Sequence, residues 1–312
     1  MTTYLLRRIL TIIPVAVIVS FAAFMLVQLA PGDPSAFFIG EDTPPEEVER
    51  IRAELGVDRT VIVQYTAWAQ RAVTGDLGES FFQRRPVTEA FADAFPVTAL
   101  LTLMSLVIAL ILAVPIGIFS ALKPGSIGDR ISTVFVFIGV SMPNFWLGML
   151  LVILVAIPFA YFPAQGFNDA TIFTGMQSLF LPAVANGYAQ AAIIARMTRS
   201  GMLEVLRSDF VQTARAKGLR SRVVLMKHIF SNAFNPILTV IGVAVASLIS
   251  GSVVIEVVFN LPGIGDLTVN SIARRDYPMI QGVLLLSAAA IIVVNLVVDI
   301  LYGVLDPRIR YD

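Results

Sequence analysis

Residues 95–122, FPVTALLTLMSLVIALILAVPIGIFSAL, decide the fold class of this chain. The stretch contains no Asp, Glu, Lys or Arg, and it is longer than the ~20 residues that a helix needs to cross ~30 Å of hydrocarbon. A segment within lipid must satisfy its own backbone hydrogen bonds, so the stretch is predicted to be a transmembrane helix.

Five further stretches are also long and free of charged residues, namely 9–30, 131–162, 171–195, 229–255 and 277–298. The composition agrees with this pattern, since 57% of the 312 residues are hydrophobic and 14% are charged. A soluble domain has about a quarter of its residues charged. The sequence therefore predicts an all-α membrane protein with six transmembrane helices.

The first and fourth of these six stretches each allow two interpretations. Residues 9–30 are too long for a signal-peptide core and precede no small-residue cleavage site, so they are expected to be a retained first span. Residues 171–195 contain Gln177, Pro182, Asn186 and Gln190. They are expected to form either a helix beside a polar cavity or a re-entrant segment.

The distribution of Lys and Arg predicts the orientation. With six spans both termini lie on one side, and that side carries 14 Lys and Arg residues against eight on the other. Six of those eight lie in 31–95, which is long enough to be discounted and also holds twelve acidic residues. Both termini are therefore expected to be cytoplasmic.

This topology divides the chain into four parts. Residues 1–30 are expected to be a cytoplasmic tail and the first transmembrane helix, and residues 31–95 a small extracytoplasmic insertion. Residues 96–305 would form a five-helix transmembrane core, and residues 306–312 a second cytoplasmic tail. Within the insertion, 46–55 and 61–74 are predicted to be short helices, and Tyr65 and Trp68 of the second suit an interface.

A basic segment between two spans, EVLRSDFVQTARAKGLRSRVVLMK (204–227), lies on the predicted cytoplasmic side. A helix over about 204–218 would place Leu206, Phe210, Thr213 and Lys217 on one stripe. The small residues around Ala214 would let a partner approach the backbone closely, and Gly218 would end the helix with a positive φ. The alternative is a basic helix that lies on anionic lipid headgroups.

The spacing of Gln212-Thr213-Ala214, then three residues, then Gly218 resembles the Glu-Ala-Ala-x-x-x-Gly loop of permeases in ATP-binding-cassette importers. In that family the loop forms a coupling helix that docks on the ATPase subunit. The sequence Thr-Ala-Arg-Ala-Lys-Gly at 213–218 resembles the motif of the peptide-permease branch of that family. By this resemblance the ATPase-coupling residues would be Leu206, Phe210, Gln212, Thr213, Ala214, Lys217 and Gly218.

The oligopeptide, dipeptide, glutathione and nickel permeases are similar along nearly the whole chain. The motifs that carry the similarity are Tyr4–Arg8, Pro31–Pro34, Gly78 with Ser80 and Arg84–Val87, Ser141-x-Pro143, Glu256-x-x-Phe259-Asn260-x-Pro262-Gly263-x-Gly265, Arg275–Pro278, and Asp306-Pro307-x-Ile309-Arg310-Tyr311. The resemblance implies the type I importer permease fold in a bacterial inner (plasma) membrane. It also implies a paralogous second permease, two ATPases and an extracytoplasmic solute-binding protein as partners, and it leaves peptides, glutathione or a nickel chelate as the solute.

Catalytic machinery is not evident in the sequence. It contains no Gly-x-x-x-x-Gly-Lys-Ser/Thr phosphate loop, one histidine and no cysteine, so we expect no enzyme activity, no metal site and no cofactor on this chain. ATP and Mg would be bound by the partner ATPases. The net charge of zero gives no indication of a nucleic-acid partner.

Polar residues within the spans are the candidates for a solute pathway or gate. Pro143 and Asn144 break the third span, either as a tolerated kink or as a hinge. Asn186 and Gln190 are candidates to line the pathway from the fourth span. Glu256 would either lie at the pathway mouth or fix the 259–265 loop through hydrogen bonds.

Two other functions remain open at this level. An independent secondary transporter would need a coupling-ion site and usually has repeated halves, and the spans contain few acidic residues for such a site. A membrane scaffold without transport would not need the polar fourth span or the broken third span.

Overall fold

The computed structural model describes residues 2–29, 44, 46, 49–50, 59–159 and 161–305. Its helices are α1 (Thr2–Gln28), α2 (Val61–Val73), α3 (Val87–Leu122), α4 (Ile127–Ser141), α5 (Asn144–Leu151), α6 (Ile172–Leu206), α7 (Asp209–Ala216), α8 (Ser231–Phe259), α9 (Ile264–Ala273) and α10 (Tyr277–Leu305). Two π-helical segments, Val152–Ala156 and Val224–Phe230, extend α5 and precede α8, and a single α-helical turn, Ser221–Val223, leads into the second segment. The predicted helix over 46–55 and the tail 306–312 lie outside the described residues, apart from 46, 49 and 50.

Five of the described helices are long and apolar enough to cross a membrane, and they confirm the spans predicted near 9–30, 95–122, 171–195, 229–255 and 277–298. The remaining predicted span, 131–162, is the third along the chain. It corresponds to α4 and α5 together, and this pair is bent by 106° at Met142 and Pro143. The fourth span, α6, is a continuous helix with Pro182 inside it. The sharp break therefore falls in the third span, and the fourth span is a helix and not a re-entrant segment.

Local sequence signals explain several helix ends. The Ser126 hydroxyl accepts a hydrogen bond from the Asp129 backbone N–H at 3.2 Å and caps α4. At the start of α6, the side chains of Thr171 and Thr174 each accept a hydrogen bond from the other residue's backbone N–H. Asn260 ends α8 in the left-handed conformation, with a φ of 51°.

The chain forms two compact units, whose boundaries fall within α3, near the start of α9 and within α10. The first unit comprises Met1–Pro96 and Asp266–Val293. In it the Tyr65 and Ser20 hydroxyls are 2.8 Å apart, and the rings of Tyr65 and Trp68 pack against Phe24. Trp68 is consequently buried by α1 and does not lie at an exposed interface.

Two of the sequence motifs meet within the first unit. The buried carboxylate of Asp276 accepts hydrogen bonds from the Ser80 hydroxyl and from the Phe81 N–H, the latter at 3.2 Å. Pro278 packs against Gly78, whose φ is +83° and where a Cβ would lie 3.6 Å from the proline Cβ. The stretch after α2 is thereby fixed to the start of α10.

The second unit comprises Val97–Gly265 and Val294–Asp312. Its centre is α6, the most buried of the long apolar helices described, and α4, α5 and α8 pack against it. Glycines let α3 and α4 approach α6 closely. An added Cβ at Gly187 of α6 would lie 2.5 Å from the Ser105 carbonyl oxygen of α3, and one at Gly139 of α4 would lie 2.6 Å from the Ala192 Cβ of α6.

Candidate functional site

The basic segment does not form the single helix predicted over about 204–218. Helix α6 ends at Leu206, Arg207 and Ser208 separate the helices, and α7 begins at Asp209. Ser208 has extended backbone angles (φ −75°, ψ 149°), and its hydroxyl donates back to the Val205 carbonyl at 2.6 Å. Leu206 and Phe210 therefore belong to different helices, and the predicted stripe that joined them is wrong.

The inner face of α7 packs against its own chain. Val211 and Ala214 are buried in a cluster with Ala121 of α3 and Met202 of α6. The Ala214 side chain is therefore covered by the protein itself, and of the small residues Thr213, Ala214 and Ala216 the exposed ones are Thr213 and Ala216. Both faces of the short helix carry small residues, so the sequence alone did not distinguish them.

The outer face of α7 is exposed and carries small or polar residues. Gln212, Thr213 and Ala216 project away from the buried pair, and Phe210, at its flank, is 45% exposed. Lys217 and Gly218 follow as exposed residues, and Gly218 has the predicted positive φ, +74°, with no atom within 4 Å of where a Cβ would lie. The helix thus presents a flat face with one apolar ring beside it.

The break in the third span places Asn144 against α8. Asn144 is the first residue of α5, its side-chain oxygen accepts from the Phe145 N–H, and its amide donates to the Gly251 carbonyl at 3.4 Å. Pro143 precedes it with φ −60° and ψ 136°, an extended conformation that ends the helical path. The expected break is confirmed, and the Asn144 side chain links the start of α5 to the neighbouring helix α8.

Asn186 lies in the same region but is buried between helices. Its amide donates to the Ser105 hydroxyl at 3.3 Å and to the Leu248 carbonyl at 3.2 Å, so it links α6 to both α3 and α8. A Cβ on Gly251 would lie 3.0 Å from the Asn186 side-chain oxygen and 3.4 Å from the Asn144 side-chain nitrogen, which shows how close the two asparagines are. Gln190, one turn along α6, is half-buried.

Glu256, the remaining candidate, is fully buried and bound to the loop that follows α8. Its carboxylate accepts from the Thr98 hydroxyl and from the Gly265 N–H, both at 2.7 Å. Thr98 in turn accepts from the Ile264 N–H at 2.9 Å. These hydrogen bonds are the ones expected if Glu256 fixes the 259–265 loop. The side chain is buried within this chain, so it is not exposed to a solute pathway here.

One polar cluster in the structure was not predicted from the sequence. The buried carboxylate of Asp129 on α4 accepts from Arg199 of α6 through Nε (2.8 Å) and Nη2 (3.0 Å), and from the Ser120 hydroxyl of α3. Ser126 followed by Asp129 is the spacing of a helix start, and this signal was available in the sequence. The arginine partner, 70 residues away, was not predictable from spacing.

Among the residues that the structure describes, no three His, Cys, Asp or Glu side chains lie close enough together to hold a metal ion.

Known protein families match nearly the whole length of the chain. A family described as "Binding-protein-dependent transport system inner membrane component" matches residues 113–311, and its N-terminal counterpart, "Binding-prot-dependent transport system membrane comp, N-term", matches residues 1–102. The glutathione transport system permease protein GsiC of Escherichia coli is 39% identical over 311 residues, and the oligopeptide transport system permease protein AppB of Bacillus subtilis is 38% identical over 316. In both cases all of both chains is covered.

Solved structures share the fold. A chain of the MetNI methionine ABC transporter, in an inward-facing conformation, superposes with a TM-score of 0.58 at 17% identity. The match covers 70% of this chain and 97% of that chain. Together with the full-length sequence matches, it establishes that this chain belongs to the family of binding-protein-dependent transport system inner membrane components and has an all-helical ABC transporter permease fold.

Proposed function

We propose that this chain is the permease subunit of an ATP-driven importer for peptides or a similar solute such as glutathione. The observation that carries this proposal is the full-length identity of 38–39% to permeases named for oligopeptide, dipeptide and glutathione transport. The chain would form half of the solute path, and a paralogous permease would form the other half. An extracytoplasmic binding protein would deliver the solute.

The proposed contact with an ATPase subunit is the outer face of α7, with Gln212, Thr213 and Ala216 at its centre. The buried Val211 and Ala214 hold α7 against α3 and α6, so a push on the outer face reaches the membrane helices directly. Phe210 is the apolar side chain available to enter a groove on the partner. ATP and Mg would be bound by the two ATPases.

We place α7 and both termini in the cytoplasm of a bacterial cell and residues 31–95 outside the inner membrane. The charge distribution supports this orientation, since the predicted inner side carries 14 of the 22 Lys and Arg residues.

The direct test is affinity purification of the tagged chain from its native membrane, followed by identification of the subunits and reconstitution in liposomes with the binding protein. We expect ATP-dependent uptake of radiolabelled dialanine or glutathione, and none by the tagged chain alone. Uptake by the chain alone, driven by a proton or sodium gradient, would favour a secondary transporter. If the complex takes up nickel chelates but neither dialanine nor glutathione, the proposed solute is wrong.

A further inference from the structure

Three helices of the second unit meet at the carboxylate of Asp129, near the start of α4. Arg199 of α6 binds both carboxylate oxygens, at 2.8 and 3.0 Å, and also donates to the Ser120 hydroxyl of α3 at 3.0 Å. The Gly125 N–H adds a further hydrogen bond at 2.8 Å. A guanidinium that binds a carboxylate through two N–H groups fixes both distance and orientation, which a lysine cannot do.

The same helix ends also hold α7. Ala121 and Met202 pack on the buried face of α7, and they follow Ser120 and Arg199 by one and three residues. Helices α3 and α6 are held together at this level, because a Cβ on Gly117 would lie 2.5 Å from the Thr198 Cβ. A displacement of α7 would therefore move the Ser120 and Arg199 side chains along with their helices.

The opposite end of α4 is the bend at Pro143. The ion pair is two residues from the start of α4 and the bend lies just beyond its end, so α4 joins the two as a rigid rod. A cavity of about 590 Å³ lies beside the pair, lined by Arg199, Ser120 and Ser141 among others. The Arg199 side chain is 35% exposed while that of Asp129 is 8% exposed, so the arginine has room to leave the carboxylate without unfolding of the helices.

We propose that the Asp129–Arg199 ion pair is a positioning contact of the transport cycle, which carries movement of α7 through α4 to the bend at Pro143. This inference rests on the proposed function, since it requires ATPases that act on α7. Asp129 and Arg199 would not touch the solute. Their role would be to keep α4 in register with α6 while the complex changes state.

The test uses the purified complex and the absence of cysteine from this chain. Ser141→Cys, at the exposed end of α4, would be labelled with a fluorescent maleimide in the resting complex and after trapping with ATP and vanadate. We expect the labelling rate of this chain to differ severalfold between the two states. In the background of Arg199→Gln the ratio should fall close to one, while the ATPases stay bound and still hydrolyse ATP.

Arg196→Gln is the matched control, because Arg196 lines the same cavity from α6 and has no carboxylate partner among the described residues. It should leave the ratio unchanged. Should Arg199→Gln fail to fold, Asp129→Asn keeps the shape of the side chain and removes its charge, and it should reduce the ratio as well. The proposal is overturned if either folded variant keeps the full change, or if Ser141→Cys alone shows none. A complex that contains no ATPase would overturn the proposed function itself.

Discussion

Glu256 lies near the end of α8, and its two carboxylate oxygens bind two separate parts of the chain. Gly263 and Gly265 pack so closely against α8 that neither position has room for a side chain. An added Cβ at Gly263 would lie 2.4 Å from the Glu256 Cδ, and one at Gly265 would lie 2.4 Å from the Val253 Cα. The residues Glu256, Gly263 and Gly265 of one sequence motif thus make a single structural feature, a loop packed around a buried carboxylate.

Substitution of Glu256 tests this feature. Glu256→Ala would leave the Thr98 hydroxyl and the Gly265 N–H without their buried acceptor, at a cost of about 1–3 kcal/mol for each group left unsatisfied. Glu256→Gln can still accept from Gly265 and donate to Thr98, so it should lower the melting temperature of the detergent-purified protein much less. Equal melting temperatures for both variants and the parent chain would show that the loop does not depend on these hydrogen bonds.

The break between Leu206 and Asp209 is the main feature at the scale of elements that the sequence analysis missed. The long spans were predictable because each is a charge-free run, and hydrophobic length is a direct physical requirement of the bilayer. Pro143 and the adjacent Asn144 predicted the bend, because proline removes one helical hydrogen bond, but Pro182 inside the continuous helix α6 shows that a proline alone need not break a helix. The start of α7 rests on Ser208, a residue that helices tolerate. Ala214 turns inward because it packs with Met202 of the preceding helix and with Ala121, which lies far away in the sequence.

The packing of α6 against α3 gives a second prediction. Gly187→Ala would place a methyl group 2.5 Å from a backbone oxygen of Ser105, which cannot move aside as a side chain can. Overpacking costs about 1–3 kcal/mol, against a gain of about 1 kcal/mol in helix propensity. We expect a net loss of up to about 2 kcal/mol, measured by thermal or denaturant unfolding in detergent.

Gly175→Ala in the same helix is the control for that measurement. The nearest atom to its added Cβ would be 3.5 Å away, an ordinary contact, so the variant should be as stable as the parent chain or slightly more stable. Equal losses at Gly175 and Gly187 would mean that the close approach of α3 and α6 is not what limits stability.

Orientation in the membrane is a property of the whole molecule. It was inferred from charge, and its test is the accessibility of two exposed residues, Thr60 before α2 and Ser221 after α7. With a membrane-impermeant maleimide on spheroplasts, Thr60→Cys should be labelled and Ser221→Cys only after lysis. The opposite pattern would reverse the orientation and move α7 to the outside, where no ATPase could reach it.

Assembly with the ATPases is the central claim, and the outer face of α7 gives the most direct measurement of it. Ala216→Glu places a charge on the exposed face without entering the chain's own core, whereas Ala214→Glu would disturb the packing with Ala121 and Met202. Arg207→Gln removes a basic charge outside α7 and serves as the control.

The measurement is the amount of ATPase that co-purifies with each variant at matched membrane expression and equal melting temperature of the permease. We predict that Ala216→Glu loses most of the ATPase and that Arg207→Gln retains it. A helix that lies on anionic lipid would show the reverse order, because loss of a basic residue weakens membrane attraction by about 1 kcal/mol. If Arg207→Gln loses the ATPase while Ala216→Glu keeps it, the account of α7 as the docking helix is contradicted.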